Sequence, residues 1–172
     1  MSDPARQTSQ PSPQKGTAFL LSQVGAHVAA RFSECVAPLG LKPYHAGILG
    51  TLQSHPGITQ QALADLLGIF PSRLVALLDE LTKLQLIERR ASLTDRRTYA
   101  LHLTRTGTNM WAKVGKEAAR MQEEVCAALS ATEREQLASL LARIAAQQGI
   151  TPDVHPGYRK LGRTCAEDEP LK

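Results

Sequence analysis

Aromatic side chains are scarce in this chain: one Trp, three Tyr and three Phe, or 4% of 172 residues. Sandwiches and barrels lean on aromatic and β-branched residues, so a hydrophobic content of 42% with so few rings points to Leu/Ala-rich helix packing. Cysteine is scarce too. Cys35, Cys126 and Cys165 are odd in number, widely spaced and without a CxxC pair, which excludes a disulfide framework and a zinc ribbon. His27, His45, His55, His102 and His155 are equally scattered, so no metal and no cofactor are expected. Apolar runs such as Ala18 to Leu21 are far too short to cross a bilayer, and the charged start (Asp3, Arg6, Lys15) has no secretory h-region after it. A soluble, cytoplasmic protein with no membrane partner is expected. Catalytic signatures are also missing: no Gly-rich phosphate loop, no plausible Ser-His-Asp grouping, no paired carboxylates in an apolar setting. An enzyme is not expected.

What is present centres on Thr59 to Thr104. Thr59 offers a hydroxyl N-cap, Leu63, Leu66 and Leu67 share one helical face, and Gly68 stands where a left-handed C-cap is wanted. Two residues on, Pro71 marks a first helical turn, and Leu74, Leu77, Leu78, Leu81 and Leu84 follow at three- and four-residue spacing. Helices joined so tightly must cross steeply, as in a helix-turn-helix that presents its second helix to a DNA major groove. A hairpin follows, with strands expected at 87–91 and 98–103. Tyr99, Leu101 and Leu103 alternate there with Ala100 and His102. Its tip carries Asp95, Arg96 and Arg97. Turn chemistry has no use for two adjacent guanidinium groups, whereas a narrow minor groove attracts them. Asp95 suits turn shaping or arginine orientation better than contact with phosphate.

The net charge of +4 is modest, but its placement is not uniform. Lys83 through Arg105 holds six cations (Lys83, Arg89, Arg90, Arg96, Arg97, Arg105) against two anions (Glu88, Asp95). That excess of four equals the excess of the whole chain, so the positive field is focused on the hairpin, as a nucleic-acid surface requires.

Several segments in register then carry a resemblance: 61–68 (QALADLLG), 79–89 (DELTKLQLIER), Asp95-Arg96-Arg97, and 101–107 (LHLTRTG). Together they are similar to the multiple-antibiotic-resistance regulator (MarR) family of winged-helix transcription factors, over about 130 residues. The fold implied is mainly α, a winged helix-turn-helix with a small β-hairpin wing and a helical dimerisation region built from both termini. The function implied is that of a homodimeric, sequence-specific regulator of double-stranded DNA, a repressor by default. One departure concerns the recognition helix, where many relatives carry Thr and Arg and this chain has Val75 and Ala76. Donors are thus concentrated at Ser72 and Arg73, while Val75 and Ala76 are suited only to thymine methyls. The expected DNA-facing set is Ser72, Arg73, Val75, Ala76, Arg96 and Arg97, completed by Thr59 and Gln60 at the start of the first motif helix.

The rest of the chain divides readily. Residues 1–16 are Ser/Pro/Gln-rich, a disordered leader by composition. Residues 17–42 and 105–149 form the expected dimerisation region, 43–104 the winged helix, and 150–172 a loosely held tail with three prolines. A long helix is expected from the Thr104 cap to about Leu129. A last helix follows from overlapping capping boxes (Ser130 with Glu133, Thr132 with Glu135) to about Gln148. Leu137, Leu140, Leu141 and Ile144, with Val114, Ala118, Met121, Val125 and Leu129, form more apolar stripe than a winged helix can bury, which reads as a subunit interface.

The resemblance also implies an effector, commonly a small aromatic or anionic molecule held between dimer helices and winged helix. His27, Arg31, Tyr44, His45 and Trp111 are the candidate lining residues, suited to a carboxylate or phenolate beside a ring. Two alternatives stand beside this reading: a cysteine-based oxidant sensor of the same fold, using Cys35, Cys126 or Cys165, and a winged-helix protein-interaction module.

Overall fold

The computed structural model describes residues 16–91, 99–155 and 157–158. Six helices and one hairpin follow in order: α1 (Thr17–Val36), a 3-10 turn (Ala37–Leu39), α2 (Pro43–Ser54), α3 (Gln60–Leu67), α4 (Pro71–Lys83), β1 (Ile87–Ala91), β2 (Tyr99–Leu103), α5 (Arg105–Val125) and α6 (Ala131–Gln147). No single helix among the described residues is long and apolar enough to cross a membrane.

Local chemistry accounts for most boundaries. Thr59 caps α3 by accepting the Ala62 amide at 3.2 Å, and Gly68 ends it in the left-handed region at φ 64°. Pro71 opens α4, and the two helices meet at 111°. The leucine stripe does not run as far as expected. α4 stops at Lys83, Leu84 is 46% exposed, and Gln85 adopts φ 57° to turn the chain into β1. Gln85 is held there by Thr104, whose hydroxyl donates to the Gln85 carbonyl at 2.7 Å and accepts the Gly107 amide at 2.9 Å as the cap of α5. Gly107 is obligatory, because a Cβ there would collide with the Leu86 carbonyl.

α5 is also shorter than expected, ending at Val125 and not near Leu129. Arg134 explains the early stop. Its guanidinium donates to the Cys126 and Leu129 carbonyls, both at 3.1 Å, and pairs with Glu123, which folds the α5–α6 turn on itself. Of the two capping boxes only Ser130 with Glu133 forms, the Ser130 amide donating to Glu133 at 2.8 Å. The Ser130 hydrogen bonds hold the Glu133 carboxyl below its ordinary pKa.

The core lies inside the winged helix. Ile48, Leu49 and Leu52 of α2, Leu63 and Leu67 of α3, and Leu74, Leu77, Leu78 and Leu81 of α4 are fully buried with Leu86, Ile87 and Leu101. Each side chain so buried is worth ~1.5–3 kcal/mol of transfer free energy. β1 and β2 pair antiparallel with Ile87 opposite Leu103 and Ala91 opposite Tyr99. The inner edge of β2 is occupied as well. Gly57 donates to the Leu101 carbonyl and the Leu101 amide to that of Ile58, both at 3.0 Å, with Thr59 bridging Ala100.

Outside this unit packing is sparse. α1 lies along α5, joined by Arg31 to Glu124 at 2.8 Å, and α2 also meets α5. α6 has no buried residue; Leu137, Leu140, Leu141 and Ile144 are exposed, as are Phe19, Leu20 and Val24 of α1. The expectation of a loose segment after 150 fails for two residues. Val154 packs against the core, and Tyr158 is only 5% exposed with its hydroxyl on the Tyr44 carbonyl at 2.6 Å. No local pattern announces that contact, because its partner lies 114 residues away.

Candidate functional site

α4 presents two opposite faces. Leu74, Leu77, Leu78 and Leu81 point into the core, while Ser72, Arg73, Val75 and Ala76 are exposed together on the outer side. This division follows directly from the leucine spacing, since burying one stripe of a 3.6-residue helix turns the remainder outward. The polar donors sit at the N-terminal end of α4, and Val75 and Ala76 continue the face as a smooth apolar strip. Phe70, just before α4, is 54% exposed. Composition alone did not mark Phe70, which adds a ring at the same end of the surface.

Thr59 and Gln60 are half-buried at the α3 N-terminus. The Thr59 oxygen already accepts the Ala62 amide, which leaves its O–H to donate outward. Arg96 and Arg97, with Asp95, lie outside the described residues. The root of the wing is described, and it is tied to α4: Arg89 of β1 donates to Asp79 at 2.8 Å. Arg90 pairs with Glu88 on the same strand. Sequence reasoning counted these arginines as charge and missed that Arg89 has a positioning partner ten residues back.

The candidate effector residues fall into separate environments. His27 is exposed on α1. One turn on, Arg31 is held by Glu34 at 2.9 Å and Glu124 at 2.8 Å, and these hydrogen bonds raise its pKa above the ordinary arginine value. An anionic ligand would have to displace those carboxylates. Tyr44 and His45 meet edge to face, with ring centroids 4.7 Å apart, and the Lys42 ammonium lies 5.5 Å from the Tyr44 ring. His45 is buried: Nδ1 accepts the Lys42 amide at 3.3 Å, and Nε2 lies 2.9 Å from Glu80 of α4. Burial lowers the His45 pKa, opposed by the Glu80 carboxylate. Nδ1 is an acceptor, so the neutral Nε2–H tautomer fits both partners. Trp111 of α5 is half-buried with its ring against Gly50 of α2. The structure thus joins Tyr44 and His45 to Lys42 and Glu80, seats Trp111 farther along α2, and keeps His27 and Arg31 on α1. Glu80 and Lys42 were not singled out by the sequence. Cys35 and Cys126 are half-buried thiols, and Cys165 lies outside the described residues, as do residues 1–15 of the leader. No cluster of three metal-ligating side chains occurs among the described residues.

A steep helix pair whose second member exposes a polar-tipped face, followed by a hairpin salt-bridged to that helix, is a winged helix-turn-helix of the DNA-binding kind. The family model described as "MarR family" matches residues 39–98. A putative transcriptional regulatory protein for the hcr operon of Thauera aromatica is 35% identical over 113 residues, covering 66% of this chain and 68% of the relative. Among solved structures, the transcriptional repressor CouR bound to a 23-mer DNA duplex is 34% identical with a TM-score of 0.68, covering 77% of this chain and 94% of that one. A Mycobacterium tuberculosis MarR-family protein in complex with salicylic acid has the same fold, with a TM-score of 0.62 at 24% identity, over 75% of this chain and 96% of that one. The chain belongs to the MarR family of winged-helix transcriptional regulators. It is a DNA-binding regulator and not an enzyme.

Proposed function

We propose that this regulator acts in the cytoplasm as a homodimeric repressor that sits on a pseudo-palindromic operator and leaves it when a small aromatic or anionic ligand binds. The observation that carries the reading is the outer face of α4, where Ser72 and Arg73 lead an exposed strip backed by four buried leucines. Such a face, held rigid by a core, is what base readout in a major groove needs. Arg96 and Arg97 are assigned to the adjacent minor groove, and Thr59 and Gln60 to the flanking backbone.

Dimerisation is supported by the apolar faces of α1 and α6. Val24 is 54% exposed and Leu140 52% exposed, and α6 as a whole buries nothing within its own subunit. An apolar helix face left so open calls for a partner, and we assign it to a second copy of the chain. Two-fold symmetry then sets the half-sites about 34 Å apart, one turn of DNA. Repression needs only that the bound dimer occlude a promoter.

The effector site is assigned to the region between α1, α2 and α5, with His27, Arg31, Tyr44, His45 and Trp111 as candidate contacts. Support comes from Arg31, Tyr44, His45 and Trp111 lying on the helices α1, α2 and α5 that pack against one another, and from the salicylic acid carried by the M. tuberculosis relative. Release requires that ligand bind the DNA-incompetent spacing of the two wings more tightly than the competent one.

The test is selection of duplexes from a random pool, followed by titration of the winning site at several salt concentrations. A two-fold sequence and a steep negative salt slope are expected. Displacement by salicylate or 4-hydroxybenzoate is the second readout. Flat salt dependence, or recovery of no preferred sequence, would sink the DNA reading, while intact complexes across an aromatic-acid panel would sink the effector reading alone.

A further inference from the structure

The start of α4 runs against what folding alone would select. α3, α5 and α6 each begin on a hydroxyl, from Thr59, Thr104 and Ser130, whose oxygen accepts an amide of the first turn. α4 begins on Phe70, whose side chain caps nothing. Only its carbonyl serves the helix, accepting the Arg73 and Leu74 amides at 3.0 and 3.1 Å. The ring is 54% exposed besides. Phenylalanine here forgoes the capping hydrogen bond that Ser, Thr or Asp would make, and it leaves apolar surface in water.

Phe70 does not stand alone. From Phe70 to Ala76 the exposed residues are Phe70, Pro71, Ser72, Arg73, Val75 and Ala76, and only the side chains of Ser72 and Arg73 can hydrogen-bond. The next outward carboxylate, Asp79, is already engaged by Arg89 at 2.8 Å. Leu74, Leu77 and Leu78 fix this face from beneath, so Val75, 38% exposed, stays turned outward. Arg73 at one end and Lys83 at the other, both exposed, flank the strip with positive charge, which suits a polyanion better than an apolar protein surface. On a duplex, the N-terminal residues of a recognition helix are the ones that reach base edges. The major groove shows them one apolar group, the C5-methyl of thymine.

We propose that Phe70, Val75 and Ala76 read thymine methyl groups, so that part of this regulator's sequence preference is carried by apolar contact and not by hydrogen bonds. The proposal rests on the DNA-binding reading above and adds to it the chemical group on the duplex that is recognised. Ser72 and Arg73 supply the polar part of the readout. Phe70 thereby becomes a specificity-determining residue just outside the helix proper, one position ahead of the proline that opens it.

The experiment takes the duplex selected from the random pool and exchanges its thymines for deoxyuridine one at a time, which removes a methyl and keeps every hydrogen-bonding group. Anisotropy with the full chain should show losses of roughly fourfold at the thymines that face α4, and none at flanking ones. Phe70→Ser and Val75→Ser should each bind the thymine duplex more weakly and become indifferent to uracil at one of those positions. Phe70→Ser should also raise the melting temperature by about 2–4 °C, since serine restores the missing cap. Val75→Ser carries the test if Phe70→Ser does not fold. A wild type indifferent to every uracil exchange overturns the proposal and leaves salt-dependent operator binding, and with it the DNA reading, intact. Uracil losses that persist undiminished in both variants assign methyl sensing to other residues and overturn it too. A Phe70→Ser protein that melts lower than wild type makes the ring part of the fold and removes it from the readout. A pool that yields no preferred duplex overturns the DNA reading, and this proposal falls with it.

Discussion

Asp79 on α4 and Arg89 on β1 meet at 2.8 Å, so the helix proposed to face DNA and the first strand of the wing share an ion pair. Both side chains are partly solvated, and exposed pairs of this type contribute only ~0–1 kcal/mol to folding. The value of this one lies in aim. Asp79→Asn should weaken duplex binding even though it removes a negative charge near the DNA. Arg89→Ala should weaken it too, and the double variant should lose less than the two single losses combined. Anisotropy titrations beside chemical denaturation check this. Tighter binding by Asp79→Asn would mean that the pair matters only through its field.

Arg73 is the exposed guanidinium at the start of α4. Arg73→Ala should cost ~1–3 kcal/mol on the selected operator and much less on random duplex. Equal losses on both would remove its role in base readout and leave it a phosphate contact.

Arg96→Ala and Arg97→Ala should behave differently. Each should weaken binding to every duplex alike and reduce the salt slope by about one counterion. The check is the logarithm of affinity against the logarithm of salt, measured for wild type and both variants.

His45 gives the molecule an acid sensitivity whose sign is set by its neighbours. Its Nδ1 faces the Lys42 amide, its Nε2 faces Glu80, Tyr44 abuts its ring, and burial lowers its pKa below 6.5. The unfolded chain therefore binds the proton more readily than the folded one. The stabilising contribution is present in full above pH 6.5 and is lost progressively as pH falls toward the depressed folded-state value. Melting temperature should fall on acidification through this window, and His45→Gln should flatten the profile. A wild-type curve that is flat or rises toward acid would contradict the neutral tautomer.

The subunit interface can be tested on α6. Leu140→Glu and Leu141→Glu place charges on a face that is uncovered within one chain. Light scattering should report a dimer for wild type and a monomer for the double variant, with operator affinity falling as the two half-sites become independent. An unchanged mass would move the interface elsewhere.

The winged helix was legible because its signals are local and redundant. Thr59, Gly68 and Pro71 punctuate two helices, and the leucines of α4 state which face is inward. Helix ends were read less well. α4 ends a residue early because Gln85 accepts a left-handed backbone to reach Thr104, and α5 ends early because Arg134 gathers carbonyls at the turn. Neither residue type advertises those roles. Long-range pairs were invisible for a different reason: His45 with Glu80, Asp79 with Arg89 and Tyr158 with Tyr44 join residues whose spacing carries no periodicity. The candidate effector residues were named by chemistry, and only the fold shows that Arg31 and His45 already have partners.

The sheet at the base of the wing bears on how safely the protein can be handled at high concentration. One side of β2 is taken by β1 and the other by the stretch from Gly57 to Thr59, so that ribbon offers intruding chains no unfilled ladder. The remaining rim, β1, carries Glu88, Arg89 and Arg90 in succession, and charged rims resist the strand-to-strand stacking that seeds amyloid. Replacing those three with β-branched apolar residues would keep the hairpin's pairing yet turn a solute into a template for its own aggregation.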